Sequence, residues 1–85
     1  MTKTITVYTT DSCASCLMVK KYLDGKGLQY NVVNLDQEPL AVRQKVIEIS
    51  GAMTVPVTVV QDEQGSQNVT VGWNPGKLAA VIGQN

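Results

Sequence analysis

The sequence predicts an α/β fold in which three helices flank a four-stranded mixed sheet, in the order βαβαββα. Three observations support this prediction. Residues 5–9 form a β-branched and aromatic run that is typical of a buried strand. The apolar residues that follow Cys13 recur at helical spacing. Further along, residues 57–61 and 67–71 are strand-like runs on either side of a polar loop, which predicts an antiparallel hairpin.

The N-terminal half is predicted to form a strand, a helix and a second strand. The helix begins at Cys13 and extends to about Lys26, because its apolar residues lie at i, i+3 and i+7 and form one stripe: Cys16, Val19 and Leu23. Gly27 is suited to a left-handed cap at its end. Residues 30–35 form the second strand. Strand, helix and strand joined by short connections make a parallel βαβ crossover.

Two more helices are predicted in the C-terminal half. One begins at residues 36–39, with acidic groups near the positive end of its dipole and Pro39 in its first turn. It ends at Gly51, and its apolar stripe is Val42, Val46 and Ile49. Asn74 and Pro75 supply an N-cap and a first-turn proline for the last helix, whose core contacts are Leu78, Val81 and Ile82. The whole order is that of the thioredoxin fold in its minimal form.

Composition predicts a single domain over residues 1–85. Hydrophobic residues make up 44% of the chain and charged residues 16%, with seven basic and seven acidic residues. Since there is no basic excess or cluster, we expect no nucleic acid and no membrane surface among the partners. The N-terminus enters a strand without a signal-peptide pattern, and no apolar run approaches the ~20 residues of a membrane span. A cytoplasmic protein is therefore expected.

Cys13 and Cys16, separated by Ala14 and Ser15, are the two cysteines of the chain. Thiols at this spacing can close a disulfide with each other, so the pair predicts a reversible two-electron redox site. Cys13 lies at the start of the helix, where unpaired N–H groups and a dipole equivalent to about +0.5 charge favour a thiolate. Cys13 is therefore the predicted nucleophile. Cys16, one turn further on and on the buried stripe, is the predicted resolving thiol.

The surroundings of the pair leave other readings open. Asp11 disfavours a thiolate, whereas the hydroxyls of Ser12 and Ser15 are able to donate hydrogen bonds to it. The cysteines are also able to pack as small buried apolar residues. A zinc site needs about four ligands, which two thiols and no histidine do not supply, so no resident metal is expected. Iron–sulfur binding would require a dimer in which Cys13 of both subunits ligates one cluster.

Five short features follow one another along the chain: Val7-Tyr8-Thr9, Cys13-x-x-Cys16, Ser50-Gly51, Thr54-Val55-Pro56 and Gly72. In this order they resemble glutaredoxins and glutaredoxin-like proteins over nearly the whole chain. The resemblance implies the thioredoxin (glutaredoxin) fold and a cis peptide bond before Pro56. It further implies that Pro56 faces the cysteines, that the backbone of Val55 pairs with the substrate chain, and that Thr54 and Gly72 also line the substrate site.

The segment Gly72-Trp73-Asn74-Pro75 resembles the glycine-aromatic-x-proline turn of NrdH-type redoxins. These small proteins take electrons from thioredoxin reductase and deliver them to ribonucleotide reductase. Glutathione-dependent glutaredoxins instead tend to carry Gly-Gly followed by an acidic residue, which is absent here. Thr10 stands where many of these proteins have a lysine, and Met53 stands where a basic or polar residue is common. A charge-assisted contact to glutathione contributes about 1.5–3 kcal/mol, so the loss of such groups is expected to weaken glutathione binding at least tenfold.

The predicted function is reduction of protein disulfides by a Cys13–Cys16 dithiol, in a monomer that holds no permanent cofactor. Electrons are expected from NADPH through thioredoxin reductase, with glutathione as the alternative donor. The resemblance implies ribonucleotide reductase as the disulfide-containing substrate. Trp73 is expected to be partly exposed and to meet the partner, because aromatic residues are enriched at interfaces. The competing functions are a glutathione-dependent glutaredoxin, an iron–sulfur carrier and a redox-responsive binding module without turnover.

Overall fold

The computed structural model describes residues 3–52 and 54–82. The strands are β1 (Thr4–Thr9), β2 (Asn31–Asn34), β3 (Val57–Gln61) and β4 (Gln67–Val71). The helices are α1 (Ala14–Gly25), α2 (Leu40–Ser50) and α3 (Pro75–Ile82), with a short 3-10 helix (Leu35–Gln37) after β2. The sheet has the order β2-β1-β3-β4. The β1–β2 pair is parallel, whereas β1–β3 and β3–β4 are antiparallel. The predicted βαβαββα order and mixed sheet are confirmed.

The strand register brings three connections to one edge of the sheet. Tyr8 near the end of β1 pairs with Val57, the first residue of β3. Val57 also pairs with Val71, the last residue of β4. The segments after β1, before β3 and after β4 therefore leave the sheet at the same edge. These segments contain Cys13, Pro56 and Gly72 respectively.

Two hydrophobic clusters lie on opposite faces of the sheet, because successive strand residues point to opposite sides. The first joins β1 and β3 to α1 and α3, through Ile5, Val7, Val19, Leu23, Val60, Leu78 and Ile82. The second joins β3 to α2 and the 3-10 helix, through Leu35, Val46, Val57 and Val59. Full burial of each such aliphatic side chain contributes about 1.5–3 kcal/mol. Among the described helices, none combines the length and the apolar character needed to cross a bilayer.

The helix that carries the cysteines ends in a Schellman motif. Gly27 has φ +70°. Its N–H donates to the carbonyl of Asp24 at 3.0 Å, and the N–H of Leu28 donates to the carbonyl of Leu23 at 3.1 Å. Leu28 then packs against the cluster that contains Leu23, the apolar contact that accompanies this motif. The left-handed cap predicted at Gly27 is confirmed, and the predicted stripe of Cys16, Val19 and Leu23 is buried.

The predicted start of the second long helix is wrong. Residues 35–37 form the 3-10 helix, in which the Oδ1 of Asn34 accepts a hydrogen bond from the N–H of Asp36 at 2.9 Å. Glu38 is extended, with φ −109° and ψ 156°, because the ring of Pro39 disfavours the α region for the preceding residue. Pro39 is therefore the N-cap of α2 rather than a first-turn residue. The acidic residues precede the helix and lie outside its first turn.

The end of α2 and the start of α3 agree with the boundaries predicted from the sequence. Gly51 ends α2 in the left-handed conformation. The Oδ1 of Asn74 accepts a hydrogen bond from the N–H of Lys77 at 3.1 Å and caps α3, as predicted. Ile49, which the sequence assigns to the apolar stripe with Val42 and Val46, is 38% exposed. It lies about 60° around the helix from the buried Val46 and only borders the packed stripe.

Candidate active site

Cys13 is the N-cap residue of α1. Its backbone is extended, with φ −131° and ψ 100°, and its Sγ accepts a hydrogen bond from the N–H of Cys16 at 3.1 Å. A serine, threonine, asparagine or aspartate oxygen usually accepts this bond. Here the sulfur lies at the positive end of the helix dipole and faces a backbone donor, an arrangement that favours a thiolate over a thiol.

The two cysteines differ in accessibility. Cys13 is partly exposed, whereas Cys16 in the first turn of α1 is only 2% exposed. The cysteines are joined by a disulfide with their Cα atoms 5.3 Å apart, so the structure represents the oxidised form. An incoming molecule reaches the sulfur of Cys13 before that of Cys16. Within residues 3–52 and 54–82, no group of three or more potential metal ligands is clustered.

A depression surrounds the disulfide at the sheet edge. Asp11 and Lys20 contribute opposite charges to it, and Leu17, which is 56% exposed, contributes apolar surface. Ser12 and Ser15 are exposed, and in the described part of the chain neither hydroxyl bonds to the Sγ of Cys13. The full lining consists of Thr10, Asp11, Ser12, Cys13, Ala14, Cys16, Leu17 and Lys20.

The loop between β1 and α1 is held by Asn34, the last residue of β2, and by Asp36 in the 3-10 helix that follows it. The N–H of Asp11 donates to the Oδ2 of Asp36 at 2.8 Å, and the Nδ2 of Asn34 donates to the Oδ1 of Asp11 at 2.6 Å. Arg43 on α2 pairs with the other oxygen of Asp36 at 3.0 Å. The hydrogen bond from Asp11 and the charge of Arg43 hold the pKa of Asp36 below its ordinary value. Sequence reasoning missed this network, because it depends on the parallel register of β1 and β2.

The segment before β3 contains the Val55–Pro56 bond, which is cis as the resemblance implies. Pro56 is buried, and its carbonyl accepts a hydrogen bond from the N–H of Gly72 at 2.8 Å. These two residues therefore meet at the edge of the sheet that carries the cysteines. Thr54 and Val55 line a separate recess formed with α2, in which Arg43 also takes part. Met53 lies outside the described residues.

Trp73 packs against the helix that carries the cysteines. Its ring contacts Tyr22 edge-on, with ring centroids 5.8 Å apart and an interplanar angle of 70°. The Nζ of Lys26 lies 5.4 Å from the centroid of the same Tyr22 ring. Trp73 is 36% exposed, which agrees with the predicted partial exposure. The indole thus packs on α1 and keeps only part of its surface exposed.

Comparison with known proteins identifies relatives of similar size. The glutaredoxin family model matches residues 5–64. The glutaredoxin-like protein NrdH of Lactococcus lactis subsp. cremoris is 37% identical over 77 residues, which cover 91% of this chain and 97% of that protein. Glutaredoxin from Archaeoglobus fulgidus superposes with a TM-score of 0.78 at 27% identity, over 92% of this chain and 84% of the other.

NrdH-redoxin from Escherichia coli superposes with a TM-score of 0.73 at 23% identity, over 92% of this chain and 93% of the other, and thus has the same fold. The family match covers both cysteines and the segment through Pro56. Together with the disulfide at the start of α1, these findings agree with the resemblance deduced from the sequence motifs. The chain belongs to the glutaredoxin family and is an NrdH-like thiol–disulfide oxidoreductase.

Proposed function

We propose that this protein reduces disulfide bonds of other proteins through a dithiol cycle of Cys13 and Cys16. The observation that carries the proposal is the asymmetry of the pair, since a partly exposed Cys13 caps α1 and an almost fully buried Cys16 lies one turn behind it. The exposed sulfur is able to meet a substrate disulfide, and the buried one is within reach of the exposed one. This division of roles suits attack by Cys13 and resolution by Cys16.

The cycle begins with both cysteines reduced. The Cys13 thiolate attacks one sulfur of the substrate disulfide, so that a Cys13–substrate bond forms and the other substrate sulfur leaves as a thiolate that takes up a proton. Cys16 then loses its proton and attacks Cys13, which closes the Cys13–Cys16 disulfide and releases the second substrate sulfur. The second substrate sulfur also takes up a proton. The substrate has then gained two electrons from the dithiol and two protons, one released by Cys16 and one from the solvent, because Cys13 reacts as a thiolate. The structure corresponds to the oxidised product of this cycle.

The substrate is proposed to contact the sheet edge beside the cysteines. Pro56 and Gly72 lie at that edge and are tied together by a hydrogen bond. We assign Val55 to backbone pairing with the substrate chain, Thr54 to the adjoining contact, and the exposed part of Trp73 to the partner surface. A substrate protein that binds there would place its disulfide against Cys13. Residues 1–85 are proposed to act as one domain.

Thioredoxin reductase is the proposed electron donor, with NADPH as the source of electrons and ribonucleotide reductase as the substrate. The NrdH similarity supports this donor, as does the absence after Gly72 of the Gly-Gly-acidic pattern that glutathione-dependent glutaredoxins tend to carry. The cycle is proposed to run in the cytoplasm, where reductases regenerate dithiols.

Recycling assays distinguish the proposed donor from glutathione. The oxidised protein is supplied with NADPH and either thioredoxin reductase or glutathione plus glutathione reductase, and NADPH oxidation is followed with insulin as the disulfide substrate. Fast turnover with thioredoxin reductase and slow turnover with glutathione supports the proposal. The reverse order would identify glutathione as the donor. Inactivity in both systems would contradict protein-disulfide reduction as the function.

A further inference from the structure

Cys13 follows a short loop that is held in place by two hydrogen bonds of Asp11. The loop leaves β1 after Thr9, whose register partner in β2 is Asn34. Asp11 accepts a hydrogen bond from the Nδ2 of that Asn34 with its carboxylate, and its backbone N–H donates to Asp36, two residues further on. The segment that presents the N-cap cysteine is therefore attached to the connection between β2 and α2.

Asp36 is the centre of that attachment. One carboxylate oxygen accepts the N–H of Asp11 at 2.8 Å, and the other accepts the Nη2 of Arg43 at 3.0 Å. Asn34 accepts the N–H of Asp36 itself, which fixes the backbone from which the carboxylate extends. Arg43 also lines the recess that contains Thr54 and Val55. Arg43 thus pairs with the residue that holds the loop before Cys13 and also borders the recess that Thr54 and Val55 line.

We propose that Asp36 is a positioning residue that holds Cys13 in its N-cap geometry, and that Arg43 orients Asp36. Without the carboxylate, the N–H of Asp11 loses its acceptor and the loop gains other conformations. The Sγ of Cys13 then spends less time against the N–H of Cys16, and the thiolate loses its helix-terminal stabilisation. This inference rests on the proposed role of Cys13 as the nucleophile.

The charge of Asp36 and its hydrogen bond to Asp11 have opposite effects on the reactivity of Cys13. A nearby negative charge disfavours a thiolate, so loss of charge alone would raise the reactivity of Cys13. Loss of the acceptor for the N–H of Asp11 would lower it. Asp36→Asn removes the charge and keeps an acceptor oxygen, whereas Asp36→Ala removes both. The two variants therefore separate positioning from electrostatics.

The test measures alkylation of reduced Cys13 by iodoacetamide at pH 7, with the modified residue located by mass spectrometry. We expect Asp36→Ala to lower the rate about three- to tenfold, the factor that corresponds to one net hydrogen bond. The alkylation rate of Asp36→Asn should be within about twofold of the rate of the natural protein, or higher. The rate of Arg43→Gln should lie between those of Asp36→Ala and Asp36→Asn. Glu38→Ala is the matched control, since it removes an exposed carboxylate two residues away.

Thermal unfolding of each variant separates loss of positioning from loss of folding, and Arg43→Gln provides the test if Asp36→Ala does not fold. An Asp36→Ala rate equal to that of Glu38→Ala would overturn the inference, as would an Asp36→Asn rate as low as that of Asp36→Ala. Insulin reduction by the natural protein is measured alongside. Failure of that reduction with the expected alkylation pattern would refute the proposed function and leave the positioning role intact.

Discussion

Two threonine hydroxyls are buried opposite each other in the sheet. Thr58 on β3 pairs with Thr70 on β4, and both residues are 0% exposed. Among the residues that the structure describes, neither Oγ1 has a hydrogen-bond partner. Val7 of β1 pairs with Thr58 from the other side and belongs to the cluster under α1 and α3. The two hydroxyls therefore face an apolar layer.

Replacement of either threonine by valine is expected to stabilise the protein. An unsatisfied buried hydroxyl costs about 1–3 kcal/mol, and valine keeps the β-branched shape while it substitutes a methyl group for the hydroxyl. We therefore expect Thr58→Val and Thr70→Val each to raise the free energy of unfolding by about 1–2 kcal/mol, or the melting temperature by about 4–8 °C per kcal/mol. The double variant should depart from the sum of the two single changes, because neighbouring sites couple.

Urea unfolding of the oxidised protein, followed by circular dichroism, measures these changes. Thr4→Val at the exposed start of β1 is the control and should change stability by no more than about 0.5 kcal/mol. A loss of about 1 kcal/mol or more in Thr58→Val would mean that its hydroxyl is hydrogen-bonded in solution. The hydroxyl of Thr58 would then stabilise the sheet, contrary to this prediction.

Two further predictions concern stability. Asn74→Ala removes the acceptor for the N–H of Lys77 and should lower the urea-derived free energy of unfolding by about 1 kcal/mol; unchanged stability would contradict the capping role. The pKa of Asp36 is lowered in the folded state by the N–H of Asp11 and by Arg43. Its contribution is therefore present above the ordinary carboxyl pKa of about 4 and is lost as the pH falls through the lowered value. In urea unfolding at a series of acidic pH values, the free energy of unfolding should decline less steeply with falling pH in Asp36→Asn than in the natural protein. An equally steep decline in both proteins would contradict this linkage.

Short-range signals account for the parts of the fold that the sequence predicts well. The hairpin between β3 and β4 has the predicted limits, because Asp62 accepts hydrogen bonds from the N–H groups of Gln64 and Ser66, both at 2.9 Å. Gly65 supplies a positive φ in the same loop. Gly27 and Asn74 likewise act within a few residues of the helix ends that they form. Such interactions are determined by residue type and can be predicted from sequence.

The start of α2 lies later than the sequence predicts, although its causes are local: Asn34 stabilises the 3-10 helix, and the chain is extended before Pro39. Features that depend on tertiary structure are harder to predict from sequence. The contacts of Asp36 with Asp11 and Arg43 arise only when β1 and β2 pair in parallel. The sequence indicated the positions of Cys13 and Cys16 in α1 because a helix start and an apolar stripe are local patterns.

Trapping of a mixed disulfide shows which cysteine attacks the substrate. Reduced Cys16→Ser and Cys13→Ser variants are each mixed with insulin, and covalent adducts are measured by non-reducing mass spectrometry. We expect a stable adduct through Cys13 in the Cys16→Ser variant, because no resolving thiol remains. In the Cys13→Ser variant we expect little adduct, because Cys16 is buried. An adduct that forms equally fast through Cys16, or no adduct through Cys13, would contradict the assignment of Cys13 as the attacking thiol.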